Sequence, residues 1–341
     1  MSVLANFFAR IDSGWAHSAP AMILMQDQPG NIFAPQATPA HTIFGLSLLV
    51  LAITLAIFLV VGGLLGYAVW RFRRRAGESG EPAQVYGSNQ IEVLWTVIPV
   101  LILVVLFLAT MRVINGTEKA RKPANALDVV VIGHQFWWEY RYPRLGIVTA
   151  NELHIPVSSV QQPQSSYLTL TSADVDHSFW VPRLAGKMDL IPNKTNVMWM
   201  DPEKPGLYLG QCAQYCGTEH ALMLIRLYVD TPEQFAKWTA GQQKPAVDDQ
   251  AVAAGKAVFL HTACVNCHTV SGTVARGRFG PDLTHLASRE TLGSGVVVNT
   301  PGNLRKWIEN PDAIKPGSLM PRMNLSPHDL DLVTAYMASL R

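Results

Sequence analysis

The chemistry available to this sequence is concentrated at four cysteines, which fall as two pairs, each followed closely by a histidine. The first pair lies in Gln211-Cys212-Ala213-Gln214-Tyr215-Cys216-Gly217-Thr218-Glu219-His220-Ala221-Leu222-Met223. Two thiolates four residues apart, an imidazole four further on and a thioether three beyond that are soft donors of the kind copper selects. A further imidazole comes from His177, in Thr171-Ser172-Ala173-Asp174-Val175-Asp176-His177-Ser178-Phe179-Trp180-Val181-Pro182. Two nearby cysteines also suit a zinc site or a disulfide, but the methionine at a fixed offset argues against zinc. The second pair, Cys264-Val265-Asn266-Cys267-His268, has the spacing that forms two thioethers to haem vinyl groups and holds the adjacent histidine under the iron. Met320, in a Met-Pro dipeptide ahead of the last helical run, is the expected distal ligand, and Met323 offers a second sulfur nearby. A Met/His pair raises the iron potential. With both pairs engaged by metals, no cysteine is left for a structural disulfide. His261, His285 and His328 are expected to be surface or packing residues.

These donors must be held by more than one unit, because 341 residues exceed a single domain of ordinary size. The chain is 49% hydrophobic and 15% charged, with the apolar residues concentrated in two blocks before residue 113. From His41 to Trp70 it is almost free of charge, longer than the roughly 20 residues a membrane-spanning helix needs, which excludes a short buried core helix. Arg71, Arg73, Arg74 and Arg75 follow, and a second apolar run extends from about Val93 to Met111. Basic loops stay cytoplasmic, so the prediction is a helical hairpin in a lipid bilayer with its turn inside and both flanks outside. The first forty residues lack the pattern of a secretory signal, and FFARIDSGWAHSAPAMILM suits an interfacial helix. Beyond the hairpin, residues 114–247 carry 12 Lys+Arg and 12 Asp+Glu, a balance that excludes a nucleic-acid-binding surface.

Between residues 127 and 229, short β-branched and aromatic runs such as LDVVVIGHQFWWEYRY, SYLTLTS and ALMLIRLYVD alternate with Pro, Gly and Asn, which predicts an all-β sandwich or barrel. Thr231-Pro232-Glu233-Gln234 then combines a cap, a first-turn proline and a capping-box partner, so a short helix should close the β unit. QQKPAVDDQ reads as a linker. From Ala251 the segments are helical, with Thr300-Pro301 and Ser326-Pro327 opening two of them. The expected organisation is an N-terminal outer-face segment (1–40), a transmembrane hairpin (41–113), a β domain (114–241), a linker (242–250) and a small all-α domain (251–341).

In this arrangement the chain resembles subunit II of the haem-copper cytochrome c oxidases, with a class I cytochrome c fused at the C-terminus. The resemblance rests on C-x-x-x-C-x-x-x-H-x-x-M, on the loop around His177, on Glu92-Val93-Leu94-Trp95-Thr96-Val97-Ile98-Pro99, on Gly133-His134-Gln135-Phe136-Trp137-Trp138-Glu139-Tyr140, and on Cys264-Val265-Asn266-Cys267-His268 with Gly280-Pro281-Asp282-Leu283 and Met320-Pro321. It implies a cupredoxin-like β domain bearing a dinuclear CuA centre. Cys212 and Cys216 would bridge the coppers, His177 and His220 would cap one each, and Met223 and the main-chain carbonyl of Gln214 would complete them. It also implies covalent haem c on Cys264 and Cys267, with His268 and Met320 as axial ligands. In the family, position 214 is usually a glutamate that also holds magnesium at the boundary with subunit I. The amide of Gln214 binds such a hard cation more weakly, so that ion is expected to be weak or absent.

The same resemblance makes Glu92 a candidate entrance to a proton channel in subunit I, and Phe136 and Trp138 candidates for an electron path. No residue of this chain would be catalytic in oxygen reduction. The implied partners are subunit I, further oxidase subunits and cytochrome c or another respiratory donor, in a bacterial inner membrane with the soluble domains outside. A flexible linker of n residues reaches roughly 5–6 Å times the square root of n and gives effective concentrations around millimolar, so docking of the fused domain need not be tight. Two other classes fit parts of the pattern: a copper-free structural subunit like that of quinol oxidases, which the intact donor set opposes, and a copper-storage or copper-delivery protein, which the haem motif and second span oppose.

Overall fold

The computed structural model describes residues 31–341, apart from 75–76, 78–79, 82–83, 85, 119–121 and 160. The interfacial helix expected near the N-terminus and Arg75 of the basic cluster lie outside the described residues. The chain forms two units, one of residues 41–121 and the other of the remainder.

The first unit is the hairpin. Its helices are α1 (Thr38–Arg71) and α2 (Asn89–Glu118), of 34 and 30 residues, and both are long and apolar enough to cross a bilayer. At 1.5 Å per residue each outruns the roughly 30 Å hydrocarbon core. Leu, Ile, Val and Phe side chains are exposed along both helices, as lipid-facing residues are. This is a membrane protein. Glu92 lies in the first turn of α2, and Pro99 is accommodated within that helix.

The second unit carries all the metal-binding motifs. Its β part contains β1 (Leu127–His134), β2 (Trp137–Tyr142), β3 (Ile147–Ala150), β4 (Glu152–Pro156), β5 (Ser166–Ser172), β6 (His177–Trp180), β7 (Met188–Leu190), β8 (Asn196–Met200), β9 (Gly206–Cys212) and β10 (Leu224–Asp230). They build two five-stranded sheets, ordered β3-β2-β1-β5-β8 and β4-β10-β9-β6-β7. The pairs β1–β5 and β4–β10 are parallel and the others antiparallel. Alternation explains the faces: in β5, Ser166, Leu168, Leu170 and Ser172 are buried while the residues between them are only partly so. Val129, Val131, Leu168 and Leu170 from one sheet meet Phe179, Ile225 and Leu227 from the other. Each large apolar side chain buried in this way contributes about 1.5–3 kcal/mol. The result is an all-β sandwich, as the pattern predicts, of the cupredoxin-like kind that the resemblance implies.

Helix α3 (Pro232–Gln242) closes the sandwich through the expected capping box: Gln234 N donates to Thr231 Oγ1 and Thr231 N donates to Gln234 Oε1. It brings Trp238 into a stack with His154, ring centroids 4.6 Å apart. A stretch ahead of α1 also belongs to this core, since Ala37 is fully buried and Gln36 N donates to the carbonyl of Arg183.

The C-terminal part contains α4 (Ala253–His261), α5 (Cys264–Cys267), β11 (Thr291–Leu292), β12 (Val297–Val298), α6 (Pro301–Glu309), α7 (Pro311–Ile314) and α8 (Pro327–Ser339). Thr300 and Ser326 cap α6 and α8 by accepting from Asn303 N and Asp329 N. Phe259, Leu304, Ile308, Val333 and Tyr336 form its core. The small β11–β12 hairpin departs from an all-α module.

Contacts at the linker hold the C-terminal module in place. After α3, Gln243 Nε2 donates to the carbonyl of Leu145. The buried His285 bonds the carbonyls of Gln242 and Lys244, both at 3.1 Å. The C-terminal module is thereby fastened to the end of α3, which packs on the sandwich.

Candidate copper and haem centres

The copper donors converge because β6 and β9 are neighbours, with Phe179 paired to Cys212. Cys212 ends β9, the loop to β10 supplies Cys216 and His220, and Met223 immediately precedes β10. His177, Cys212 and Cys216 are buried, and their ligand atoms all lie within 4.8 Å of one another. Cys212 Sγ is 3.9 Å from His177 Nδ1 and 3.9 Å from Cys216 Sγ. Cys216 Sγ is 3.7 Å from His220 Nδ1 and 3.9 Å from Met223 Sδ. Donors about 2.0–2.3 Å from a shared tetrahedral ion lie roughly 3.3–3.8 Å apart, so this spacing suits metal ligation. The carbonyl of Gln214 is 3.2 Å from Cys212 Sγ, whereas the Gln214 side chain is exposed.

Electrostatics point the same way. The Cys216 thiol and His177 pull the Cys212 thiol down to about 3, and the neighbouring Cys212 sulfur together with burial pushes the Cys216 thiol up. A cation between the two sulfurs would let both ionise, and metal ions supply such charge. The histidine is oriented by a residue whose role the sequence did not reveal: Asp174 Oδ1 bonds His177 Nε2 at 2.8 Å, leaving Nδ1 toward Cys212. Gln135 is a second, its Nε2 donating to the carbonyl of Cys216 at 2.6 Å. Asp174 stands three residues before His177 in the same motif, a spacing that could have flagged it. Met223 is fully buried. Met223→Leu should shift the copper potential and absorption without unfolding the domain, since a volume-conserving swap usually costs less than about 1.5 kcal/mol. Redox titration beside a thermal melt checks this, and loss of the fold would oppose it.

The second centre is a cavity of about 490 Å³ in the C-terminal module. Cys264, Cys267 and His268 line it, as do both Met320 and Met323. His268 Nδ1 donates to the carbonyl of Pro281 at 2.8 Å, which leaves Nε2 as the ligating nitrogen, and burial holds the ring neutral. Gly280 allows this packing, because a Cβ there would lie 2.5 Å from His268 Cε1. Arg289 also lines the cavity, buried and with Nε lacking a hydrogen-bond partner. An apolar slot with two thiols, a neutral imidazole, thioethers and a buried guanidinium whose Nε is free to donate fits a haem bearing anionic propionates.

The two centres share a wall. Gln135, Phe136, Trp137 and Glu219 of the β part line the haem cavity. Phe136 is only 7% exposed, covered in part by Lys315, whose Nζ donates to its carbonyl at 2.8 Å. Trp138 lies deeper, fully buried, with its ring 6.0 Å from that of His177 and 5.6 Å from that of Phe179. Glu92 belongs to the hairpin unit.

A membrane-anchored chain with a sulfur-rich copper-type centre beside a c-type haem cavity falls in the class of electron carriers. Residues 27–113 match the family described as cytochrome c oxidase subunit II, transmembrane domain, residues 160–229 match its periplasmic domain, and residues 252–341 match cytochrome c. The chain is 34% identical over 317 residues to cytochrome c oxidase subunit 2 of Alkalihalophilus pseudofirmus, covering 90% of this chain and 89% of that one. It is 32% identical over 296 residues to the Bacillus subtilis subunit, covering 81% and 82%. The solved periplasmic domain of subunit II of cytochrome oxidase from Bradyrhizobium japonicum is 29% identical, with a TM-score of 0.33 over 36% of this chain and 96% of that one. The chain belongs to the cytochrome c oxidase subunit 2 family and carries a C-terminal cytochrome c domain, and these families imply copper and haem.

Proposed function

We propose that this chain is the electron-entry subunit of a proton-pumping terminal oxidase in a bacterial inner membrane, with its N-terminus and everything after Arg112 on the outer face. When bound, haem c and dinuclear copper supply two one-electron carriers, linking an outer respiratory donor to the oxygen-reducing site of subunit I. In this reading Cys264 and Cys267 fix the haem, His268 and Met320 hold the iron, and His177, Cys212, Gln214 through its carbonyl, Cys216, His220 and Met223 hold the coppers. Asp174 keeps His177 Nδ1 aimed at the copper site. Glu92, at the start of α2, marks the proton entrance toward subunit I.

The observation that carries this reading is the shared wall. Gln135 lines the haem cavity while its side chain bonds the carbonyl of Cys216, so a single residue touches both centres. One purified sample tests it: the chain should show a c-type haem spectrum together with a mixed-valence copper resonance. A folded, haem-loaded chain without the copper signal would favour a copper-free structural subunit.

The exposed amide of Gln214 bears on the metal at the boundary with subunit I. A neutral amide is a poorer ligand for a hard divalent cation, so that magnesium site should be weak or absent while copper is unaffected. Manganese resonance on oxidase grown with excess manganese checks this, and a tight stoichiometric signal would contradict it.

A further inference from the structure

A buried charge pair that ligates nothing joins the two metal-bearing loops. Lys315 stands five residues before Met320, and Glu219 immediately precedes His220. Lys315 Nζ lies 3.1 Å from Glu219 Oε2, with the two side chains only 3% and 2% exposed. The same Nζ donates to the carbonyl of Phe136 at 2.8 Å. The backbones also close up: Gly317 sits at φ +96°, and a Cβ there would lie 2.9 Å from Thr218 Cγ2, so a larger residue would hold the loops apart.

A second clamp is built from other residues. The buried Glu152 carboxylate of the sandwich accepts from Glu290 N at 3.0 Å, from Thr291 N at 2.9 Å and from Thr291 Oγ1 at 2.8 Å. Ser294 Oγ donates to the carbonyl of Leu224, and Leu224 N donates back to the carbonyl of Ser294. Thr291, Ser294 and Lys315 all line the haem cavity, so both clamps sit at its border with the copper domain.

A buried ion pair adds little stability over apolar residues of the same size, but each partner is costly when left alone. Such a pair is satisfied in one pose and penalises every other. We propose that Lys315 is a positioning residue: by pairing with Glu219 it locks the haem module in one pose on the copper loop, so that electrons cross from a fixed docked state. This rests on the relay reading above, and it replaces a swinging, tethered module with a latched one.

The test uses the assembled oxidase with the full chain. The haem is reduced photochemically and the copper followed in the near infrared, across a viscosity series. In the native protein the internal transfer rate should not change with viscosity. Lys315→Met leaves Glu219 buried without a partner, so the rate should fall about tenfold or more and become viscosity-dependent. Haem and copper contents should stay as in the native protein, while amide exchange over 134–137 and 216–222 should rise. A native rate and native exchange in Lys315→Met would overturn the proposal. Should that variant lose haem or copper, the native viscosity series decides: a rate falling in proportion to viscosity overturns the latch, and a constant rate supports it. If the native chain, loaded with both centres, passes no electron between them, the relay reading itself fails and takes the role of Lys315 with it.

Discussion

Cys216→Ser should leave the sandwich folded and remove the copper. Cys216 Sγ is the hub of the donor set, within 3.9 Å of Cys212 and Met223 and 3.7 Å of His220. A serine hydroxyl is a harder donor that does not ionise at neutral pH, so this donor position loses both its softness and its charge. The fold should survive. A buried hydroxyl without a full set of partners costs roughly 1–3 kcal/mol, and domains are commonly stable by about 5–15 kcal/mol. The main-chain bond from Gln135 to the carbonyl of residue 216 does not depend on the sulfur. Elemental copper measured against haem content, alongside far-ultraviolet circular dichroism, reads both halves of this prediction. Copper should drop to background at native haem content, and native copper stoichiometry would contradict the assignment.

Met320→Ala should abolish the sulfur-to-iron charge-transfer band while the haem stays attached through Cys264 and Cys267. Loss of the thioether should also lower the iron potential markedly, because the Met/His pair is what raises it. The side chains of Met320 and Met323 both line the cavity, so the geometry admits either. The Met-Pro dipeptide favours Met320. An intact band in the alanine variant would move the assignment to Met323, and Met323→Ala would then remove it.

What is legible in the sequence depends on spacing along the chain. The two cysteine motifs carry most of their donors within a dozen residues, and the capping box at Thr231 and Gln234 is a local three-residue pattern. Both apolar helices were legible because lipid imposes length and composition directly. What stayed hidden depends on chain segments that meet only in three dimensions. Glu219 looks like any loop carboxylate until Lys315 arrives from the other module and buries it. Glu152 reads as the polar start of a strand, and its three acceptor bonds come from Glu290 and Thr291. The linker is legible from composition, but composition does not reveal that the module beyond it has a complementary surface. Phe136 was legible as part of an aromatic run but not as a residue covered by the haem module.

The order of reduction within one chain tests the central claim most directly. The native oxidase is mixed without oxygen against a reduced donor over a range of concentrations, at low and high salt, and the haem and copper bands are followed together. Haem reduction should come first, with a rate that rises with donor concentration. Copper should follow at a rate independent of donor concentration and of salt, because that step lies within the chain. Copper reduction that precedes the haem and accelerates with donor concentration would show that the sandwich accepts electrons directly, and would contradict the relay.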